Sequence, residues 1–370
     1  MIYLDNHATT RVDPRVLEAM LPCYGDGFAN ASSLSHAPGR AAAAAVARAR
    51  EQVASLLGAR ADEIVFTSGA TEANNLALLG TARELGGGHL VTSAIEHPAI
   101  LETAQEGFDV TLVPVGPDGR VSADAVESAL RPDTRLVSVM AANNEIGTIQ
   151  PIAQIGRLCR ERGVRFHTDA SQVIGKGQID VGPHSIDLLS LTGHKFHGPV
   201  GCGALFVRTG VALPPIQFGG AQEGGRRSGT LNLPGIVGLG AACAIAAEEA
   251  LDEYLRTGLL RDRLLGRLMA GPHEVQLNGP REGRLPGNLH VSFRGVQSAQ
   301  IMAACPGLAI SAGAACHSEN TAISPVLQAI GCDEEGARGA LRFGIGRFNT
   351  EAEIDEAARL VIDAVTALKT

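Results

Sequence analysis

The chain has 370 residues, a net charge of −8, 45% hydrophobic residues and 19% charged residues. This composition is typical of a globular protein, and the length favours two lobes over one compact core. The acidic balance gives no indication of a dedicated nucleic-acid-binding surface, so no direct binding to nucleic acid is expected.

The start of the chain and its most apolar stretch indicate no membrane segment. Residues 235–247 are too few to span a bilayer, and they run into Glu248 and Glu249. The N-terminus has no basic-then-apolar leader, so a cytoplasmic protein is expected. Seven scattered cysteines without a CxxC pair do not form a disulfide framework, and no metal site is expected within the chain.

Strands and helices are predicted to alternate through the first two thirds of the chain. Helices are predicted at 14–20, 39–57, 73–85 and 152–162. Strands are predicted at 63–67, 89–93, 110–114, 135–140, 164–168, 187–191 and 204–207. This alternation predicts a mostly parallel sheet covered by helices, with ligands bound at the carboxyl ends of its strands.

The pattern changes after a long helical region at 234–270. Strands are predicted at 289–293, 308–311 and 340–343, and helices at 298–304 and 351–368. This α+β tail predicts a second, smaller domain. We expect a large domain over 15–255 and a small domain formed by 1–14 and 256–370.

Lys195 lies in a tight connection between the predicted strands 187–191 and 204–207. A lysine in such a turn is commonly a solvated loop residue. The alternative is an amine held beside apolar strands and two histidines, which could form a Schiff base with an aldehyde.

Ser68-Gly69-Ala70-Thr71-Glu72 joins a predicted strand to a helix. Free backbone N–H groups at the helix start would make this turn an anion cradle, whereas the simpler interpretation is an ordinary capped turn. The segment is neither a GxGxxG nor a Walker loop, so nucleotide binding is not supported.

Polar residues follow three other predicted strands. His97 could stack on a planar cofactor or lie exposed in a loop, and the amides of Asn143 and Asn144 could hold a ring hydroxyl or a carboxylate. Asp169 ends a buried strand, where a carboxylate is costly unless paired. A protonated pyridine nitrogen is a suitable partner, and a helix cap is the alternative.

Three later features complete the set. Cys316 lies among small and polar residues, which favours an exposed, reactive thiol over a structural one. Arg342 could fork onto a substrate carboxylate or form a surface ion pair. The Gly-rich segment 222–230 could bind an anion or border an active site at a subunit boundary, or be a surface loop. Jointly these features predict a pyridoxal-phosphate enzyme that acts on an amino acid with a cysteine nucleophile.

Motifs along nearly the whole chain resemble the cysteine desulfurase family, in the class V aminotransferase group of fold-type I pyridoxal-phosphate enzymes. The most specific motifs are Ser68-Gly69-Ala70-Thr71-Glu72-Ala73-Asn74-Asn75, Asn143-Asn144-Glu145-Ile146-Gly147, His194-Lys195 and Arg227-Ser228-Gly229-Thr230. The resemblance implies an α/β fold with a mostly parallel seven-stranded sheet in a large domain, a smaller α+β C-terminal domain, and a homodimer with shared active sites.

The resemblance also implies how the cofactor, pyridoxal 5′-phosphate, is held. Lys195 forms the aldimine with it and later moves the α-proton of the substrate. His97, a second catalytic residue, stacks on the pyridine ring, Asp169 pairs with the ring nitrogen, and Gln172 contacts the ring hydroxyl. The phosphate is held by Ala70, Thr71, Thr192 and His194, together with Thr230 of the partner subunit.

For the substrate, the resemblance implies that Asn144 and Arg342 bind the carboxylate of L-cysteine. Cys316 then attacks the substrate sulfur, which gives L-alanine and a persulfide on Cys316. The sulfur passes to an acceptor protein for iron–sulfur assembly, tRNA thiolation or DNA phosphorothioation.

Some positions depart from the family pattern. His7 stands where the family usually has a small or amide residue, and Gly344 replaces a serine after Arg342. The context of Cys316, with His317 and Ser318, also resembles selenocysteine lyases. The first alternative to a cysteine desulfurase is therefore a selenocysteine lyase. A second alternative, from another class, is a non-catalytic scaffold for sulfur-transfer partners, and the presence of Lys195, Asp169 and Cys316 together argues against it.

Overall fold

A computed structural model describes residues 1–312 and 323–370, so the predicted nucleophile Cys316 lies outside the described residues. The described helices are Pro14–Met20 (α1), Ala37–Leu57 (α2), Ala70–Leu85 (α3), Pro98–Gln105 (α4), Ala123–Ala129 (α5), Ile152–Arg162 (α6), Leu233–Met269 (α7), Ser298–Ala304 (α8), Pro325–Ala329 (α9), Glu334–Arg338 (α10) and Glu351–Lys369 (α11). The described strands are Ile2–Tyr3 (β1), Ile64–Thr67 (β2), His89–Ser93 (β3), Asp109–Val113 (β4), Thr134–Ser138 (β5), Arg165–Asp169 (β6), Leu188–Thr192 (β7), Gly203–Val207 (β8), Val275–Leu277 (β9), Asn288–Phe293 (β10), Leu308–Ala309 (β11) and Ala340–Gly344 (β12).

The largest sheet has seven strands in the order β2-β8-β7-β6-β5-β3-β4. Strand β8 is antiparallel to both of its neighbours, and the remaining pairings are parallel. The predicted mostly parallel seven-stranded sheet is therefore confirmed. Because β2, β3, β5, β6 and β7 point the same way, the loops that follow them meet at one edge of the sheet.

A smaller unit is built from both ends of the chain. Strands β12, β10 and β9 form an antiparallel sheet, and β1 pairs in parallel with β11. One apolar cluster joins Leu4 near the N-terminus to residues of β10, β12 and α11, including Val291, Phe343 and Val361. This shared cluster explains how an N-terminal segment can belong to a C-terminal domain, although the exact division at 15 and 255 remains a prediction.

Helix α7 is 37 residues long and reaches from one apolar cluster to the other. Ile236 and Leu239 pack in the core of the large sheet, whereas Leu260 and Leu264 pack in the small-domain cluster. By length and composition alone, α7 would pass as a membrane span, but half of its most apolar window is buried inside the protein. Such burial is what the core helix of a two-lobed fold requires.

Candidate active site

A cavity of about 480 Å³ opens at the carboxyl edge of the large sheet. This volume lies in the range of sites for small molecules and cofactors. The cavity is lined by the predicted residues Ala70, Thr71, His97, Asn144, Asp169, Gln172, Thr192, His194, Lys195 and Arg342. These residues come from distant parts of the chain, and the fold brings them together.

The N-terminus of α3 forms one wall of the cavity. The helix begins at Ala70, three residues earlier than predicted, so Ala70 and Thr71 lie in its first turn. Strand β8 packs closely against this turn at Gly203. Only glycine fits there, because an added Cβ would lie 2.7 Å from the Cα of Gly69. The N–H groups of a first helical turn have no acceptor within their own helix, and this turn lines the cavity together with the positive end of the helix dipole, as an anion site requires.

Asp169 ends β6 with its carboxylate held from two sides. Its Oδ2 accepts a hydrogen bond of 2.8 Å from the Nδ2 of Asn74, and its Oδ1 accepts one of 2.9 Å from the backbone N–H of Ser171. The bond from Ser171 caps a turn and not a helix, since residues 171–176 form turns, and Asp169 also lines the cavity. Both donors are neutral, so the carboxylate can still pair with a cationic group in the cavity.

His97 caps the N-terminus of α4 and also lines the cavity. Its Nδ1 accepts a hydrogen bond of 3.1 Å from the backbone N–H of Ala99, so the proton of the neutral ring is on Nε2. Burial lowers the pKa of His97. The side chain is therefore a neutral, partly buried aromatic ring, which is suited to stacking on a planar group.

Lys195 lies in a short helical turn directly after β7. Its Nζ donates hydrogen bonds to the backbone carbonyls of His7, at 2.7 Å, and Ala8, at 2.8 Å. Burial and the charge of Lys195 lower the pKa of the adjacent His194 to about 4, so that imidazole is neutral. The lysine is thus an oriented amine in the cavity wall and not a solvated loop residue.

Gln172 lies on the side of the cavity that is lined by His7, near the N-terminus of the chain. Its Nε2 donates to the carbonyl of His7 at 3.1 Å, and its Oε1 lies 3.0 Å from the Nδ1 of the same histidine. The unusual residue at position 7 is therefore in direct contact with a predicted cofactor-binding residue.

Arg342 is 2% exposed on β12. Its Nη2 pairs with the Oδ1 of Asp5 at 2.8 Å, and its Nη1 donates to the carbonyl of Asn144 at 3.0 Å. Arg342 does form an ion pair, but not the surface pair of the alternative interpretation, because its side chain is 2% exposed and that of Asp5 is 20% exposed. Among the described residues, the Nε of Arg342 has no hydrogen-bond partner. A buried, incompletely satisfied guanidinium beside a cavity is suited to binding a carboxylate.

Two predicted residues are not placed in the cavity by the described part of the chain. Thr230 is exposed and does not line it, so its role across a subunit boundary remains a prediction. Cys316 lies outside the described residues. Before residues 313–322, Ser311 forms a β-bridge with Arg342. After them, the Oγ of Ser324 donates a hydrogen bond of 2.6 Å to the Oε2 of Glu145. Arg342 and Glu145 both line the cavity, so the chain leaves and returns beside it.

Glu96 is a cavity residue that the sequence did not single out. It is 5% exposed and accepts hydrogen bonds from the Oγ of Ser93 at 2.6 Å and from the backbone N–H of Met140 at 2.9 Å. Its position next to the candidate residue His97 was the signal in the sequence that Glu96 belongs to the site. An acidic residue in a polar loop is usually solvated, so nothing in the sequence indicated its burial.

Comparisons with known proteins identify the family of the chain. Residues 2–357 match the family model of class-V aminotransferases. The chain is 50% identical over 376 residues to "Cysteine desulfurase IscS" of Anaeromyxobacter sp. (strain K), covering 100% of this chain and 93% of that protein. Among solved structures, a "NifS-like protein" superposes with a TM-score of 0.93 at 38% identity, covering 99% of both chains. "SspA in complex with cysteine" superposes with a TM-score of 0.83 at 38% identity, covering 95% of this chain and 100% of the other.

The family model spans nearly the whole chain, and the cysteine desulfurase relative matches it along its full length. The resemblance drawn from the motifs is thereby confirmed. An enzyme of this group depends on pyridoxal phosphate, so the non-catalytic scaffold is set aside. The chain belongs to the class-V aminotransferase family and, within it, to the pyridoxal-phosphate-dependent cysteine desulfurases.

Proposed function

We propose that pyridoxal phosphate binds in the cavity through Lys195, and that L-cysteine is converted there to L-alanine with transfer of its sulfur to Cys316. The observation that carries the proposal is the convergence in one cavity of an oriented amine, a buried carboxylate, a helix N-terminus and a buried guanidinium. When bound, the cofactor supplies an aldehyde that condenses with amines and a ring that accepts electrons.

The residues of the cavity fit this cofactor chemically. The amine of Lys195 would carry the aldehyde carbon, and the carboxylate of Asp169 would hold the proton on the ring nitrogen. His97 offers a neutral ring for one face, and Gln172 would contact the ring hydroxyl. The anionic phosphate would lie at the start of α3, with donors from Ala70, Thr71, Thr192 and His194, and from Thr230 of the partner subunit.

The substrate end of the cavity fits an amino acid. Arg342 and the amide of Asn144 would hold its carboxylate, and the solved complex of SspA with cysteine supports L-cysteine as the substrate. In the transfer step the thiolate of Cys316 bonds to the substrate sulfur, and the C–S bond breaks with its electron pair going to the carbon. That carbon then gains a proton. The products are L-alanine and the persulfide of Cys316, and Lys195 is placed to move protons at the substrate carbons.

The persulfide of Cys316 would then pass to an acceptor protein that serves iron–sulfur assembly, tRNA thiolation or DNA phosphorothioation. We further propose a cytoplasmic homodimer. Supporting the dimer, Thr230 lies outside the cavity of its own chain, and large apolar side chains such as Tyr24, Phe28 and Phe218 are exposed.

The decisive experiment compares the wild type with Cys316→Ala after loading with pyridoxal phosphate. Both proteins should show the visible absorbance of the lysine-linked cofactor. Only the wild type should release alanine from L-cysteine and show a persulfide on the Cys316 peptide by mass spectrometry. Cys332→Ala is the matched control, because Cys332 is a partly buried cysteine that does not line the cavity, and it should behave as the wild type.

Full release of alanine by Cys316→Ala would contradict the proposed transfer. Side-by-side kinetics with cysteine and selenocysteine address the alternative that the context of Cys316 favours. Turnover of selenocysteine with hardly any turnover of cysteine would establish a selenocysteine lyase instead.

A further inference from the structure

His7 has an unusual place in the cavity wall, because both its side chain and its backbone contact cofactor-binding residues. It is 1% exposed. Its backbone carbonyl accepts hydrogen bonds from the Nζ of Lys195 at 2.7 Å and from the Nε2 of Gln172 at 3.1 Å. Its ring Nδ1 lies 3.0 Å from the Oε1 of Gln172.

These contacts determine which ring nitrogen of His7 carries a proton. The amide of Gln172 is oriented by its bond to the backbone carbonyl, since only its nitrogen can donate there. Its Oε1 therefore faces the imidazole and can only accept, so the Nδ1 of His7 must be the donor. Burial and the neighbouring charges of Lys176, Arg342 and Lys195 lower the pKa of His7 well below its usual value. The ring is neutral, with a lone pair on Nε2.

Lys176 strengthens the same orientation of the amide. Its Nζ donates to the Oε1 of Gln172 at 3.3 Å, so two donors face that oxygen. A flipped amide would turn its NH₂ group towards both donors and its oxygen towards the carbonyl of His7. Of the two N–H bonds of Gln172, one donates to this carbonyl, and the other has no acceptor within the ranges 1–312 and 323–370. It is therefore available to a group in the cavity, which Gln172 lines.

We propose that His7 is a positioning residue whose imidazole, together with Lys176 and the His7 carbonyl, locks the amide of Gln172 so that its second N–H is donated to the phenolic oxygen of bound pyridoxal phosphate. This inference rests on the proposed function, and it assigns a task to a side chain that departs from the family pattern. A donor at that oxygen would favour its ionised form and would thereby lower the pKa of the nitrogen that links Lys195 to the cofactor.

The test compares His7→Leu with His7→Asn by titrating the visible absorbance of the lysine-linked cofactor against pH. Leucine fills much of the same space but has no donor, and neither change alters the charge of the neutral residue. His7→Leu should raise the pKa of the lysine-linked nitrogen by about one unit, a roughly tenfold change in proton affinity. The Nδ2 of asparagine lies close to the position of the histidine Nδ1, so His7→Asn should stay near the wild type. Equal pKa values in all three proteins, or equal shifts in both variants, would overturn the proposal.

A second measurement needs neither a variant nor the cofactor. Nitrogen NMR of isotope-labelled histidine in the cofactor-free wild type should show His7 protonated on Nδ1 alone at neutral pH. A proton on Nε2, or on both nitrogens, would overturn the locking of Gln172. Failure of the wild type to form the visible absorbance would instead contradict the proposed function and remove the basis of the inference, while the NMR result would still report the tautomer.

Discussion

Glu96 is a buried acid whose ionisation should affect folding. Burial is the main cause that raises its pKa from 4.5 to about 8. The pKa of Glu96 is higher in the folded state than in the unfolded state. The contribution of protonated Glu96 to the free energy of unfolding is therefore fully present below about pH 4.5 and is lost as the pH rises through about 8. Glu96→Gln keeps an oxygen for Ser93 and Met140 but cannot ionise.

We therefore expect the free energy of unfolding of the wild type to fall between about pH 5 and about pH 8 more steeply than that of Glu96→Gln. Urea unfolding at several pH values would measure both slopes. Equal slopes would show that Glu96 does not titrate across this range.

Arg342 is expected to bind the substrate carboxylate through two parallel N–H donors of its planar guanidinium group. Arg342→Lys preserves a charge for Asp5 but loses the paired N–H geometry. A charged hydrogen bond is worth roughly 1.5–3 kcal/mol, so kcat/KM for L-cysteine should fall about tenfold or more, chiefly through a higher KM. Steady-state kinetics would measure the change.

Arg347→Lys is the matched control for this substitution. Arg347 forms ion pairs with Asp13 and Glu253, and it does not line the cavity. The substitution Arg347→Lys should therefore leave the KM for L-cysteine nearly unchanged. Similar kinetic changes in both variants would indicate a general effect of altered ion pairs and would contradict the role of Arg342.

The sequence predicted the candidate residues jointly and not one by one. A lysine in a tight turn is commonly solvated and a carboxylate at a strand end can be a cap, so Lys195 and Asp169 were recognisable only because His97 and Thr71 follow other strands of the same predicted sheet.

The sequence did not single out Glu96 or Asn74, and for Arg342 it left a surface ion pair as the alternative. Their burial depends on contacts between β3, α3 and the ends of the chain, which no local pattern contains.

At the level of elements, the close approach of β8 to the start of α3 sets the shape of the anion cradle. A Cβ at Gly203 would lie 2.5 Å from the carbonyl oxygen of Leu191 and 2.7 Å from the Cα of Gly69. Gly203→Ala must therefore displace backbone. We expect a loss of about 1–3 kcal/mol in the free energy of unfolding and weaker binding of pyridoxal phosphate.

Gly266→Ala provides the control, since Gly266 lies in α7 and an added Cβ would meet nothing within 4 Å. Alanine there should stabilise the protein by roughly 0.5–1 kcal/mol through its higher helix propensity. Chemical unfolding and cofactor titration would measure both variants. Unchanged stability and cofactor affinity in Gly203→Ala would contradict the tight packing of the cradle.

Element prediction from the sequence was accurate where periodicity was strong. The predicted helices at 14–20, 152–162 and 298–304 coincide with α1, α6 and α8. The start of α3 was placed late, because Ala70 and Thr71 form its first turn directly after a glycine and without a side-chain cap. The short edge strand Val275–Leu277 was not predicted, since three residues are too few for a recognisable pattern.

At the level of the whole molecule, the seven-stranded sheet and the family were predictable because many local signals agree with one architecture. The pairing of β1 with β11 was not, since it joins residues more than 300 positions apart. We propose that 15–255 and the remainder form two lobes connected by α7, whose two halves pack in different apolar clusters. The cavity receives residues from both proposed lobes, with His7 and Arg342 on one side and Lys195 and Asp169 on the other.

We propose that Lys195 is the attachment point of pyridoxal phosphate. The chain contains three lysines, Lys176, Lys195 and Lys369, so chemical mapping can distinguish them. Lys176 is a demanding internal control, because burial lowers its pKa to about 7 and it lies one hydrogen bond from Gln172. Borohydride reduction of the loaded protein, followed by peptide mass spectrometry, should place the cofactor mass on Lys195 and abolish it in Lys195→Ala. Recovery of that mass on Lys176 or Lys369 of the wild type, or on no lysine, would contradict attachment at Lys195.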